Sequence, residues 1–223
     1  MKLGVLFSGG KDSTLATLIA KEEGYKIACL ISIISEDKHS YMFHTPSISK
    51  TKRQAEAMGI PILIQKTKGE KEKELEDLEK AIKKAKEKYK IEGILTGAVE
   101  STYQASRIQK ICDKLNIECF NPLWLRNQFE ILEDLIRNKF EVILTGVFAF
   151  PFDAKWLGRK IDGRFVEDMR KLHAKYKINP AGEGGEYESF VLYAPKLFKK
   201  KLKVKSFKDF GEKNSWTREI NIN

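Results

Sequence analysis

The sequence lacks the features that mark secreted, zinc-binding or membrane-spanning proteins. Among 223 residues there are only three cysteines, Cys29, Cys112 and Cys119, and no two are spaced as C-x-x-C. Buried, reduced thiols are therefore expected rather than a disulfide framework or a zinc site. No apolar run approaches the roughly 20 residues of a membrane helix. The apolar stretch at residues 3–7 is too short for a signal peptide. We therefore expect a cytoplasmic protein that is not bound to a membrane.

Charge is plentiful, with a formal net charge of +10. A basic surface could attract nucleic acid or another polyanion. The lysines are mostly interleaved with glutamates, however, and residues 66–90 show this best. There Leu75, Leu78 and Ile82 recur at helical spacing, with charges between them. This pattern predicts an amphipathic helix with a solvated charged face. No stable complex with nucleic acid is expected.

The first half of the chain alternates apolar strands with helices. We predict strands at residues 3–7, 27–34, 61–65, 93–96 and 117–120. Strands that are apolar throughout and separated by helices indicate an α/β fold, in which a parallel five-stranded sheet has helices on both faces. Ligands of such sheets bind beyond the carboxyl ends of the strands.

After residue 122 the alternation loosens. A helix at about 127–138 and a strand at 142–148 continue the α/β style, and a helix follows at 164–176. The last segments, 190–193, 201–207 and 217–222, favour β structure. We therefore place a boundary near residue 122, with one α/β domain at 1–122 and a smaller α+β domain at 123–223.

The segment Ser8-Gly9-Gly10-Lys11-Asp12-Ser13 follows the first strand and is the most informative part of the sequence. The two glycines let the backbone turn tightly and bring its N–H groups close to a ligand. Free N–H groups at a helix start attract anions, Lys11 adds a positive charge, and Ser8 and Ser13 add donors. These features predict a phosphate cradle. A glycine-rich turn that only caps a helix is the alternative. The spacing matches neither a Walker motif nor G-x-G-x-x-G.

Residues after the second and fourth strands are further candidates. Gly97 is small enough to let a nucleotide approach the backbone. Ser101, Gln104 and Arg107 are three apart and could share the face of the next helix. An ordinary capped helix is the alternative. His44, after the second strand, either lines a nucleotide pocket or is a plain loop histidine.

A loop near the C-terminus, residues 179–189, combines glycines with Glu183, Glu186 and Glu188. Clustered carboxylates can act as a base or bind a cation. A solvated acidic turn is the alternative.

These segments carry a family resemblance. The order S-G-G-K-D-S after a strand resembles the PP-loop of the ATP pyrophosphatases, which have an adenine nucleotide alpha hydrolase-like (HUP) fold. The segments G-A-V-E-S-T-Y-Q, P-L-W, W-L-G-R and E-G-G-E-Y-E extend it over essentially the whole chain. With them the chain is similar to the diphthine–ammonia ligase family. Ser189 departs mildly from the threonine expected after E-G-G-E-Y-E.

The resemblance implies that diphthine on elongation factor 2 is amidated by ammonium through an acyl-adenylate, giving diphthamide, AMP and pyrophosphate. It implies ATP and Mg²⁺ as cofactors, with an ATP-binding domain at 1–122 and a substrate-site domain at 123–223. Lys11, Glu183, Glu186 and Glu188 are the expected catalytic residues, and Asp12 is the expected Mg²⁺ ligand. The expected nucleotide-binding residues are Ser8, Gly9, Gly10, Lys11, Asp12, Ser13, His44, Gly97, Ser101 and Gln104.

Two other functions stay open at this point. A tRNA-modifying PP-loop adenylating enzyme would fit the basic charge, but C-x-x-C pairs and a separate RNA-binding domain are missing. A non-catalytic nucleotide-binding regulator is the second alternative, although Lys11 and the acidic loop argue against it. The sequence leaves open whether the chain forms a homodimer.

Overall fold

Five parallel strands form the larger sheet of this computed structural model, which describes residues 1–35, 50–68 and 73–223. The strands are β1 (Lys2–Leu6), β2 (Lys26–Ser35), β3 (Ile62–Thr67), β4 (Gly93–Leu95) and β5 (Glu118–Phe120). Their order across the sheet is β3-β2-β1-β4-β5, and every neighbouring pair is parallel. The predicted five-stranded parallel sheet is therefore confirmed.

Helices cover both faces of this sheet. The first face carries α1 (Lys11–Glu22) and α2 (Thr51–Met58), and the second carries α3 (Lys73–Tyr89) and α4 (Thr102–Leu115). In β2, Leu30 packs with the first group and Ile31 with the second, because successive strand residues point to opposite faces. This two-sided burial explains why the strands are apolar throughout. The amphipathic helix expected in this region is α3, which buries Leu78 and Ile82.

The remainder of the chain forms a second sheet, which is antiparallel and flanked by helices. It contains β6 (Glu141–Val147), β7 (Tyr187–Tyr193), β8 (Val204–Glu212) and β9 (Ser215–Ile222), in the order β7-β6-β9-β8. Helices α5 (Gln128–Arg137) and α6 (Gly163–Tyr176) precede β6 and β7, and a short 3-10 helix spans Ala154–Trp156.

One expectation about β6 was wrong. It does not continue the α/β alternation, because it pairs antiparallel with β7 and β9 in the second sheet. A strand in the middle of an antiparallel sheet can be as apolar as one in a parallel sheet. Its pairing partners therefore cannot be deduced from its own residues.

The two sheets share a core. The largest apolar cluster runs from Leu3 in β1 to Ile222 in β9. Strand β7 also contacts the loop after β1, where Val191 N donates to Gly9 O at 3.0 Å.

Within the described residues, no helix is both long and apolar enough to cross a bilayer. Cys29 and Cys112 are buried, and Cys119 is partly exposed.

Candidate active site

The loop between β1 and α1 turns at Gly9, whose φ of +81° lies in the left-handed region that favours glycine. A Cβ atom at Gly9 would lie 2.3 Å from Gln54 Oε1, so a larger residue has no room. Gly10 is the N-cap of α1 and supplies no side-chain cap. The first N–H of the helix, that of Lys11, instead donates to Ser189 Oγ at 3.1 Å.

Gln54 holds this loop against β7. Its side chain is fully buried. Its Nε2 donates to Gly9 O at 2.9 Å and to Val191 O at 2.8 Å. Both partners are carbonyl oxygens, so only the NH₂ side of the amide can face them. Strand β7 is therefore fixed in register against the glycine turn.

Lys11 lies on the floor of the site with only 3% of its surface exposed. Its Nζ donates to Asp12 Oδ2 at 2.7 Å and lies 5.3 Å from the ring centroid of Tyr187. Burial works against the positive charge, but Asp12, followed by Tyr187 and Glu183, raises the pKa of Lys11 above its ordinary value. The cation is therefore retained across the physiological pH range.

The second carboxylate oxygen of Asp12 is placed to meet a ligand. Oδ1 is buried and has no hydrogen-bond partner among the residues that the structure describes, and Asp12 lines the pocket. A buried carboxylate oxygen without a partner is costly unless a cation or a donor satisfies it. Oxygen ligands are those that Mg²⁺ prefers, and it commonly takes only one or two from carboxylates. The donor set at Asp12 therefore fits Mg²⁺.

A cavity of about 500 Å³ opens above these residues, within the usual size range of small-molecule sites. Its lining has an apolar part, which packs in the core cluster on the second face of the sheet and suits a flat base. The polar part suits phosphates. The apolar part consists of Leu6, Ile31, Ile33, Leu78 and Ile108, and the polar part of Ser8, Gly10, Lys11, Asp12, Ser13, Thr96, Glu183, Glu188 and Ser189.

The segment after β4 forms another wall of the cavity. Gly97, Ser101 and Gln104 line the cavity, as expected. Arg107 was expected to face the same site, but it is not in the lining, and the next residue, Ile108, is. The Arg107 guanidinium instead lies 3.5 Å from the ring centroid of Tyr103. A Cβ at Gly97 would lie 2.6 Å from the backbone N of Ser13. Gly97 is therefore needed for close contact with α1, in addition to any contact with a nucleotide.

Glu183 and Glu188 enter the pocket from the second part of the chain. Burial, followed by repulsion from Asp12, raises the pKa of Glu183 to about 7, against an opposing effect of Lys11. Burial also raises the pKa of Glu188 to about 7, where Lys11 again opposes the shift. Two carboxyl groups that titrate near neutrality can exchange protons with a bound substrate at physiological pH.

Glu186 lies differently from the other two glutamates. Its Oε1 accepts from Asn179 N at 3.0 Å and from Asn179 Nδ2 at 2.7 Å, and its Oε2 accepts from Gly184 N at 2.8 Å. It is not part of the pocket lining. The carboxylate organises the glycine-rich loop, so a positioning role fits Glu186 better than direct contact with substrate.

The remaining candidates are placed as follows. Gly9 shapes the loop from behind the lining, and His44 lies outside the described residues. The W-L-G-R segment is structural, since the Arg159 guanidinium stacks 4.3 Å from the ring centroid of Trp156.

Ser189, Gln54 and Thr96 were not predicted as site residues. Ser189 could have been found because it follows Glu188 directly, but nothing near Gln54 in the sequence indicates its contacts.

The profile of the diphthamide synthase N-terminal domain matches residues 1–119, and that of the diphthamide synthase C-terminal domain matches residues 127–221. The rat protein named diphthine–ammonia ligase is 35% identical, over 92% of this chain and 83% of its own length. The human protein of the same name is 34% identical, over 92% and 84% respectively.

A solved structure titled as a predicted subunit of tRNA methyltransferase from Methanocaldococcus jannaschii aligns with 20% identity and a TM-score of 0.44. The alignment covers 89% of this chain and all of that one. This similarity is too weak to bear on fold or function. The two domain profiles together span nearly the whole sequence, and the named relatives align over most of their own length. The chain therefore belongs to the diphthamide synthase family.

Proposed function

We propose that this protein uses ATP to amidate diphthine on elongation factor 2 with ammonium, giving diphthamide, AMP and pyrophosphate. One observation carries the proposal. The phosphate cradle around Lys11 and the near-neutral carboxyl groups of Glu183 and Glu188 share one cavity. ATP cleavage and transfer of a nitrogen nucleophile could therefore occur side by side.

The first step activates the acceptor, because a carboxylate at neutral pH is a poor electrophile. A carboxylate oxygen bonds to the α phosphorus of ATP, the bond from that phosphorus to the β-phosphate oxygen breaks, and pyrophosphate leaves. Negative charge grows on the leaving group, so prearranged donors are the main source of rate. The position of Lys11 in the cavity lining, at the start of α1, supports this role for its ammonium group.

Mg²⁺ would be held by Asp12 Oδ1 together with phosphate oxygens of the nucleotide. When bound, it would neutralise charge on those oxygens. The adjacent Asp12 Oδ2 keeps the Lys11 ammonium in place beside it. Asp12 would therefore bind Mg²⁺ through Oδ1 and the Lys11 ammonium through Oδ2.

The second step needs neutral ammonia. Glu188 or Glu183 accepts a proton from ammonium, and ammonia attacks the acyl carbon. The bond between that carbon and the AMP oxygen breaks, AMP leaves, and the nitrogen releases a second proton to the other carboxylate as the amide forms. The same carboxylates offer a negative environment for the trimethylammonium group of diphthine. One face of the Tyr187 ring already lies against Lys11, and its hydroxyl donates to Pro180 O at 2.7 Å. Recognition of this cation therefore falls mainly to the glutamates.

A pyrophosphate-release assay tests the function. Purified protein, Mg²⁺-ATP and ammonium are expected to release pyrophosphate and AMP in equal amounts only when elongation factor carrying diphthine is added. The factor carrying unmodified histidine is the matched control. Release driven by tRNA instead would favour the tRNA-modifying alternative. Nucleotide binding without turnover on any acceptor would favour the regulator.

A further inference from the structure

We propose that Ser189 is a pyrophosphate-binding residue of this site. In this role it accepts a hydrogen bond from the first N–H of α1 and donates its own hydroxyl proton to a phosphate oxygen. The proposal rests on the proposed function for its place in the reaction. Its binding consequences do not depend on which acceptor is used. Ser189 lies 178 positions from Lys11 in the sequence, in the part of the chain that supplies the acidic loop.

The geometry at Ser189 favours a ligand contact. Its side chain lines the pocket although only 4% of the residue is exposed. Oγ accepts from Lys11 N at 3.1 Å, at a helix start where Gly10 provides no side-chain cap. The C-terminal part of the chain therefore supplies an acceptor for the first N–H of α1, one of the groups that have no partner within the helix.

A hydroxyl has one proton to donate and two lone pairs to accept with. At Ser189 one lone pair is used by the Lys11 N–H. In the described part of the chain this is the only hydrogen bond that Oγ makes. The proton is therefore left for a group in the cavity. Ser8 Oγ also accepts from a backbone N–H, that of Gly10 at 3.3 Å, but it shares a second hydrogen bond with Ser13 Oγ at 3.2 Å, in which either hydroxyl can be the donor. Ser189 is therefore the better placed of the two to donate to an anion.

Strand β7 lines the cavity with two consecutive residues, Glu188 and Ser189. The phosphate contact is therefore directly next to a carboxylate of the proposed acceptor site. The partner strand is irregular at the same place. In the β6–β7 pairing, Leu144 lies opposite Ser189 and Gly146 lies opposite Glu188, so Thr145 is an extra residue of β6. Bulges of this kind are common beside functional sites.

The test compares the affinities of pyrophosphate, ATP and AMP by titration calorimetry, in the presence of Mg²⁺ and without any acceptor. Ser189→Ala is expected to weaken pyrophosphate and ATP binding about tenfold, the scale of one hydrogen bond to a charged group. AMP has no β or γ phosphate, so its affinity should change less than twofold. Ser189→Thr keeps the hydroxyl and should bind all three within about threefold of wild type. Ser206→Ala, at an exposed serine of β8, is the matched control.

Two results would overturn the proposal. One is wild-type affinity of Ser189→Ala for ATP and pyrophosphate. The other is an equal loss of affinity for all three ligands, which would mean that Ser189 only stabilises the fold. If Ser189→Ala does not fold, Ser189→Cys keeps the volume with a weaker donor, and unchanged pyrophosphate binding by that variant would also refute the idea. Failure of the amidation assay with normal pyrophosphate binding would count against the proposed function alone.

Discussion

A lysine that is 3% exposed stays charged only where a neighbour offsets its lost hydration, and at Lys11 that neighbour is Asp12. Replacing Lys11 with alanine removes the cation that, on the proposed function, faces the leaving pyrophosphate. We expect the rate of pyrophosphate release to fall by about 10²–10³, as for loss of a transition-state donor. Steady-state kinetics at saturating ATP measures this rate. Lys21→Ala, at the exposed end of α1, should keep the wild-type rate. Equal rates for the two variants would contradict the assignment.

The raised pKa of Glu188, about 7 against an ordinary value of 4.5, has a consequence for stability. Between these two values the unfolded chain releases the proton first, so the folded state binds more protons. The contribution of Glu188 to stability is therefore complete below pH 4.5. It falls as pH rises, and the loss is complete once pH has passed 7.

In the Glu188→Gln variant the free energy of unfolding should fall less steeply as pH rises, because the glutamine does not titrate. Urea unfolding measured from pH 5 to pH 8 gives the slope for each protein. Part of the decline should remain, because the pKa of Glu183 is raised to a similar value by burial and by Asp12. Glu23→Gln, at an exposed glutamate after α1, is the control and should keep the wild-type slope. If Glu188→Gln also kept the full wild-type slope, Glu188 would have an ordinary pKa in the folded state.

At the residue scale, local sequence indicated the cavity-lining residues better in the loop before α1 than in the acidic loop. Ser8 to Ser13 could be assigned because the strand, the glycines and the helix start are adjacent in sequence. The three glutamates looked alike, yet only Glu183 and Glu188 line the cavity. Glu186 faces Asn179 and Gly184 because of how the loop folds back. That difference depends on backbone conformation, which the residue types alone do not determine.

Among the secondary-structure elements, the β4–α4 segment packs tightly against the backbone of α1 beside the site. Gly97→Ala would place a methyl group 2.6 Å from the backbone N of Ser13. Backbone cannot move as a side-chain tip can, so α1 or the segment must shift. We expect a loss of about 1–3 kcal/mol in the free energy of unfolding, with weaker ATP binding. Urea unfolding and calorimetry measure the two effects.

Gly163→Ala is the matched control for this change. A Cβ at Gly163 meets nothing within 4 Å at the start of α6, so alanine should be neutral or slightly stabilising there. Equal stability of the two variants would mean that the contact at Gly97 relaxes without cost.

The existence and type of the long elements were predictable from hydrophobic period and caps. The partners of β6 were not, because strand pairing is decided by distant parts of the chain.

Across the whole molecule, the two sheets share one apolar cluster and one cavity, although the family profiles divide between residues 119 and 127. The separation into domains at residue 122 remains a prediction. We expect residues 1–122 expressed alone to bind pyrophosphate at least about tenfold more weakly than the full chain, since Ser189 and its hydrogen bond to Lys11 are missing. Calorimetry on both proteins measures this difference. Adding residues 123–223 in trans should recover part of the affinity, and full affinity of the fragment alone would contradict the composite site.

The hydrogen bond between Lys11 and Ser189 also sets an order of events during synthesis. The segment with Lys11 leaves the ribosome 178 residues before Ser189. At ordinary elongation speeds this delay is about 10–35 s. Until β7 emerges and docks, the start of α1 has neither its hydroxyl cap nor the acidic wall of the cavity. On the proposed function, ATP turnover therefore requires a chain whose translation has passed the acidic loop.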